Sequence, residues 1–314
     1  MTVHQLQDAP PPALAQALER FEQQFTYPLG PGRFFRISHG ADYPRFFRAM
    51  GDAACFVAER IGRVAGVLGA AIRDVQHPAG ELLPSVYLGD LKVDPAMRGG
   101  RTLPLLATSA VAWASPRVTS AFSVVMDGTP VVPTRYTGRL GIPPFHELAK
   151  IAVLRLIAGK NEPLDPAWIS GDKVGPACYR RLSAGRYACP GGNPMERSEI
   201  RPGWLVAPSG DACGRLEDTR RAKRLITDDG GEMISAHLSC FAYTKIDAGA
   251  ALLRYALLLA TDLGFPALFV AVPRPDADAF RAALAGIEII DAPATVYGAG
   301  FEPGVLWNIN TAEI

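Results

Sequence analysis

Tyr87-Leu88-Gly89-Asp90-Leu91-Lys92-Val93-Asp94-Pro95-Ala96-Met97-Arg98-Gly99-Gly100-Arg101 is the stretch on which the reading of this chain turns. The apolar run to Val93 predicts a strand, and Pro95 marks its exit. Arg98 to Arg101 make a loop, and a helix is expected from about Leu103 to Ala114. A strand that feeds a Gly-rich loop at a helix N-terminus builds an anion site. Amides without a partner inside the helix point at the ligand, and the helix dipole favours negative charge there. Arg98 and Arg101 add guanidinium forks that suit phosphate oxygens.

The flanks extend the pattern. Phe34 to Ile37 suits a strand and Tyr43 to Met50 a short helix. Cys55 to Gly69 reads as a hairpin, two apolar runs around a charged turn with Gly62 near its tip. Ala121 to Met126 is a short apolar run fit for a buried strand, and Lys150 to Ile157 is another. The element order from residue 30 to 158 is thus β-α-β-β-β-α-β-α-β.

That order and that loop resemble the GNAT superfamily of N-acyltransferases. The family's pyrophosphate loop follows a strand ending V-x-P and reads R-G-x-G-x-G or R-G-x-G-x-A. Val93, Pro95, Arg98 and Gly99 match it. Arg101 stands where the second glycine would be, Leu103 where the last Gly or Ala would be, and Pro104 removes one amide. Tyr136-Thr137-Gly138-Arg139-Leu140-Gly141-Ile142 is similar to the family's Y-x-x-x-G-F segment with one extra residue. The resemblance implies an acyl-CoA co-substrate, acetyl-CoA by default, and no metal. It implies that Leu91, Val93, Arg98, Gly99, Gly100, Arg101 and Thr102 bind it.

At 314 residues the chain is long enough for two domains, and 48% apolar residues is ample for buried cores. A formal net charge of +1 does not suggest a nucleic-acid binder. Met1 to Pro12 lacks the basic-then-apolar pattern of a signal peptide. Ala248 to Val272 is greasy, but Arg254, Asp262 and Pro266 argue for helix, turn and strand rather than a membrane span. Five cysteines without a C-x-x-C pair argue against a zinc site or a disulfide framework. A reducing cytoplasm is the expected compartment.

Residues 159–202 are rich in Gly, Pro and polar residues and read as a connector, with a short helix near Pro176 to Leu182. The later elements then repeat the earlier order. Strands are expected at Glu232 to Tyr243, Ala267 to Val272, Glu288 to Tyr297 and Val305 to Thr311, with helices at Ala248 to Leu263 and Asp276 to Ala285. Thr244 to Gly249 carries no Arg-Gly pair, and Asp247 would repel a pyrophosphate. The expected fold class is therefore α/β (α+β), two GNAT-like domains, each a mixed central sheet flanked by helices. The expected boundaries are an N-terminal helical extension at 1–29, a CoA-binding domain at 30–158, the connector, and a degenerate domain at 203–314. Tandem members of the superfamily include mycothiol synthase and N-myristoyltransferase.

Amide formation from a thioester needs a deprotonated amine, alignment, an oxyanion donor and a proton for the leaving thiolate. The resemblance places the donor on the backbone of the strand holding Leu91 to Val93, and the thiolate acid at Tyr136. Three base candidates compete. Asp90 lies inside the strand and can instead pair with Lys92 on its own face. His237 lies in a later strand, where a lone histidine is more often a satisfied core residue. By resemblance to N-myristoyltransferase, whose C-terminal carboxylate is the base, the Ile314 carboxylate is the third. His146 and Glu147 are expected in a solvated loop. The expected activity is acyl transfer from acyl-CoA to a small amine through a ternary complex, with no nucleic-acid or membrane partner. The alternatives are a non-catalytic acyl-CoA-binding module and a FemX-like aminoacyl transferase.

Overall fold

The computed structural model describes residues 1–28, 33–139, 141–159 and 169–314. The limit expected at residues 29–30 and residues 160–168 of the expected connector fall outside these. The chain opens with an edge strand, β1 (Thr2–Leu6), and an amphipathic helix, α1 (Pro12–Glu22), whose buried stripe is Ala15, Leu18, Phe21 and Glu22. β2 (Tyr27–Pro28), β3 (Phe34–Ser38) and the single-turn helix α2 (Arg45–Arg48) follow. β4 (Asp52–Arg60) and β5 (Arg63–Gln76) form the expected hairpin. Ile61 and Gly62 close it with φ of 52° and 70°, the left-handed pair that a two-residue turn requires. β6 (Leu82–Val93), α3 (Thr102–Ala114), β7 (Ala121–Met126) and β8 (His146–Ile157) complete the first half.

The second half starts with β9 (Ile169–Ser170), α4 (Gly175–Leu182), β10 (Tyr187–Ala188) and β11 (Gly203–Val206). β12 (Ala212–Glu217), β13 (Arg224–Thr227), β14 (Ala236–Tyr243) and α5 (Ile246–Asp262) come next. β15 (Ala267–Pro273), α6 (Ala277–Ala283), β16 (Glu288–Ala299) and β17 (Trp307–Asn308) end it. One mixed sheet runs β1-β4-β5-β6-β7-β16-β8-β15-β14-β12-β11-β9, and β13-β3-β2 form a small second sheet. The expected strand at Phe34 therefore belongs to the small sheet, and β1 takes the outer edge beside β4. With Arg36 in its middle and Phe34 exposed, β3 is suited to a half-solvated sheet rather than a buried one.

The two halves share strands. β16 lies between β7 and β8, antiparallel to both, and β8 lies between β16 and β15. Each half thus places one strand inside the other's sheet.

The halves also repeat each other in register. β6 meets its parallel neighbour β7 only at Val86–Ala121 and Tyr87–Phe122. β14 meets β15 only at Ala236–Leu268 and His237–Phe269. The β5–β6 ladder slips between Val67–Lys92 and Gly69–Gly89, and the β12–β14 ladder slips between Cys213–Ala242 and Arg215–Ser239. Each slip is a β-bulge carrying one residue of positive φ, Asp90 at 55° and Cys240 at 51°. Asp90 and Cys240 are equivalent positions, as are Tyr87 and His237. A helix packs behind each bulged strand: α3 through Leu106, Ala110 and Ala114, and α5 through Leu252, Leu253 and Ala256. Among the described residues no helix is long and apolar enough to cross a membrane.

Candidate active site

Beyond Tyr87 and Phe122 the strands β6 and β7 part, and the residues that face the gap, Leu88 to Leu91 and Val124 to Met126, are only half-buried. The bulge at Asp90 adds local twist and opens the split. Gly89 belongs there for steric reasons, since a Cβ would lie 2.8 Å from the Tyr87 ring. The wide end of the split leads into the Arg/Gly loop. Asp94 accepts from the Ala96 amide at 2.8 Å and caps the 3-10 turn Pro95–Met97. Gly99 then turns the chain at φ 75°. α3 begins at Thr102 with no side-chain cap, which leaves its first amides available. Gly66 lets that helix end sit tight on the sheet: a Cβ there would be 2.8 Å from Thr102 Cγ2 and 2.9 Å from the Lys92 carbonyl.

Of the expected loop ligands, Arg98, Gly99, Gly100 and Arg101 are exposed, Leu91 and Val93 half-buried, and Thr102 buried. Neither Arg98 nor Arg101 has an ion-pair partner among the described residues. A depression of about 210 Å³ beside the loop is lined by Arg20, Gln24, Arg63 and Asp94, adding positive charge at this end of the sheet.

On the α1 side of the split a charged cluster collects around Asp90. Lys92 Nζ lies 2.5 Å from Asp90 Oδ1 and 3.3 Å from Glu22 Oε1. The Tyr43 hydroxyl donates to Asp90 Oδ2. His39 Nδ1 is 2.6 Å from Glu22 Oε1 and 3.7 Å from Asp90 Oδ2, and the His39 amide donates to Glu22 Oε2 at 3.1 Å. Burial alone would raise the Asp90 pKa, but Lys92, His39 and the Tyr43 hydroxyl hold it at about 2. Burial, reinforced by the Asp90 charge, keeps the Tyr43 phenol protonated. Lys223 reaches in from the second half, with Nζ 4.6 Å from the Phe46 ring and donating to the main-chain oxygen of Ile314.

Tyr136 follows the 3-10 turn Pro133–Arg135 instead of riding on an α-helix. Pro130, Pro133 and the β-branched Val131 and Val132 disfavour a longer helix there. The side chain is half-buried, and burial pushes its phenol up to about 12. Leu140 of the same segment lies outside the described residues. His146 and Glu147 begin strand β8, both exposed, and Glu147 pairs with Lys150.

His237 stands apart from this cluster, in the split of the second half. That split is filled by the chain itself. Only Trp307 and Asn308 of the expected last strand pair, with β10, and the tail then turns through Thr311–Glu313. His237 Nδ1 lies 3.0 Å from Thr311 Oγ1. The bulge amide of Cys240 donates to Asn310 Oδ1 at 2.7 Å, and Asn310 Nδ2 donates to the Cys189 carbonyl and to Glu313. Burial, followed by the charge of Lys223, drives the His237 pKa down to about 3.

Sequence reasoning passed over Glu22, His39, Tyr43 and Lys223. Glu22 did carry a signal, an acid on the buried stripe of an amphipathic helix. The others meet only in three dimensions.

No family model matches the sequence, and no curated protein sequence matches it. Solved structures do. Two structures of Saccharomyces cerevisiae N-myristoyltransferase with bound myristoyl-CoA align at TM-scores of 0.64 and 0.65, with 9% and 10% identity. The alignments cover 99% of this chain and 87% and 82% of theirs. A GCN5-related N-acetyltransferase from Anabaena variabilis ATCC 29413 aligns at 0.52, with 11% identity, over 95% of this chain and 72% of its own. The chain shares its fold with these structures.

Proposed function

We propose that the protein is an acyl-CoA-dependent N-acyltransferase that moves a short acyl group, acetyl by default, to a small primary amine within a ternary complex. The observation that carries this is the succession of elements on one strand: β6 parts from β7 beyond Tyr87, carries the Asp90 bulge, and runs into the exposed Arg/Gly loop ahead of the uncapped α3. Phosphates suit the helix end, and an extended thiol arm suits the split. Backbone amides released by the bulge suit the developing oxyanion.

A short acyl group fits what surrounds the narrow end. Tyr87 and Phe122 close it with ring centroids 5.3 Å apart, backed by Trp307 at 5.2 Å from Phe122. The charged groups of Glu22, Asp90 and Lys92 line the α1 face, a poor host for a long alkyl chain. The second split, filled by Asn310 and Thr311, is assigned no donor.

The test is thiol release from acetyl-CoA across a panel of amines, together with calorimetric titration of CoA. Turnover with at least one amine is expected. Arg98→Ala is expected to weaken CoA about tenfold or more, since one charge-assisted phosphate contact is worth about 1.5–3 kcal/mol. Unchanged affinity in that variant overturns the loop assignment. Stabilisation by CoA without turnover on any amine would instead make the protein a binding module.

A further inference from the structure

We propose that His39 is the general base of the transfer, an assignment that rests on the acyl-transfer reading above. Its orientation is fixed first. Glu22 receives both the His39 amide at 3.1 Å and Nδ1 at 2.6 Å, so one carboxylate clamps backbone and ring together. A carboxylate can only accept, so Nδ1 carries a hydrogen, and in the neutral ring Nε2 is the nitrogen that holds the lone pair. This is the arrangement in which an acid holds an imidazole ready to take a proton at its far nitrogen.

That far nitrogen is the second observation. His39 Nε2 is buried and has no hydrogen-bond partner among the described residues. A buried polar atom left unpaired costs free energy, and in native proteins it calls for an explanation. An acceptor amine that arrives with the substrate supplies one.

Position and charge agree. Nδ1 is 3.7 Å from Asp90 Oδ2, so the ring stands beside the bulge whose amides the acyl-transfer reading assigns to the oxyanion. Two carboxylates from different elements, Glu22 on α1 and Asp90 on β6, face a single ammonium, Lys92. These carboxylates stand ready to stabilise the positive charge that the ring gains when it takes a proton. The other groups around the cluster are Tyr43, whose hydroxyl is committed to Asp90, Tyr27, which hydrogen-bonds with Lys92, the buried Cys55 thiol, the rings of Phe46 and Phe47, and Lys223 on the far side of Phe46.

The step balances without a further reactant. The neutral amine attacks the thioester carbon, the C–N bond forms, and an N–H proton passes to His39 Nε2. The C–S bond then breaks as the oxyanion collapses. The departing thiolate takes up that same proton from the imidazolium, directly or through water, which leaves His39 neutral again. The products are the amide and CoA thiol.

Rate against pH decides the matter in the full-length chain. For the wild type, kcat is expected to rise through one ionisation and level off. His39→Gln should lower kcat by about 100-fold or more, keep KM for acetyl-CoA within about twofold, and abolish that limb. Glu22→Gln retains a contact but removes a charge that favours imidazolium, so its limb should move to lower pH. A packing role would not move the limb. If His39→Gln does not fold, the shift in Glu22→Gln alone decides. A His39→Gln enzyme with near-wild-type kcat, or a limb unmoved in Glu22→Gln, overturns the assignment while leaving acyl transfer intact. A wild-type chain that releases thiol with no amine overturns the transfer reading and this role with it.

Discussion

Asp90 shows how much one backbone angle decides. Alternation along a strand would put Asp90 and Leu91 on opposite faces in an ordinary ladder, and Asp90 with Lys92 on the same one. The bulge and its positive φ turn the Asp90 carboxylate to where Lys92, Tyr43 and His39 meet it. The pairing with Lys92 was legible from spacing. The contacts with Glu22 and His39 were not, because they join residues far apart in the chain through the packing of α1 and β3 on β6. His237 is the contrasting case. Its imidazole is buried neutral with a pKa near 3, so the unfolded chain binds a proton below about 6.5 that the folded chain refuses. Folding stability from this group is therefore complete above about pH 6.5 and falls as the pH drops toward 3. Urea denaturation at pH 6.5 and pH 5 should show a loss of about 1.5 kcal/mol from this residue. The loss should be absent in His237→Gln, measured as the difference between the two pH values within each protein. An equal loss in the variant would place the acid sensitivity elsewhere.

Elements with strong local punctuation were legible, and those set by distant partners were not. The β4–β5 hairpin announces itself by two apolar runs around Gly62, and α3 by the Arg/Gly loop ahead of it. The strand at Phe34 was visible, but its sheet was not, since its partner β13 lies almost two hundred residues away. The helix that the element order expects between β7 and β8 gives way to one 3-10 turn among prolines and β-branched residues, just ahead of Tyr136. Seating α3 is a matter of clearance at Gly66, where a methyl would lie 2.8 Å from Thr102 and 2.9 Å from the Lys92 carbonyl. Gly66→Ala should therefore push the helix start off the sheet, at about 1–3 kcal/mol of stability. Because the amides of that first turn are the proposed phosphate ligands, CoA affinity should fall in the same variant. Thermal melts and titration calorimetry on one preparation check both. A variant that loses stability but binds CoA normally would mean that the loop is placed independently of the helix.

At the scale of the whole molecule, the two halves are one pattern used twice and then interlocked. The repeat was legible as element order. The exchange of β8 and β16 was not, since strand order in a sheet is set by packing and not by sequence order. A chain cut near Gly159 would leave β7 and β8 without β16 between them, so the intact protein is the object to assay. The repeat also makes two splits, and the molecule treats them differently. The first opens beside an exposed basic loop. The second holds the segment from Trp307 to Glu313, with Asn310 taking the Cys240 amide, the equivalent of Asp90's, and Thr311 taking His237, the equivalent of Tyr87. Asn310 is 1% exposed and Thr311 3%, so a ligand would have to expel a packed segment to enter. Removing a partner from the buried Cys240 amide costs about 1–3 kcal/mol, before any apolar contact of Trp307 is counted. Titration calorimetry should therefore give one CoA per chain. Asn310→Ala should lower stability by about that amount without adding a second site. Arg98→Ala should weaken the single isotherm as a whole, with no CoA binding left unaffected. Two equivalents of CoA in the wild type, or a fraction of binding untouched by Arg98→Ala, would show that the tail yields its place and that both splits accept the donor.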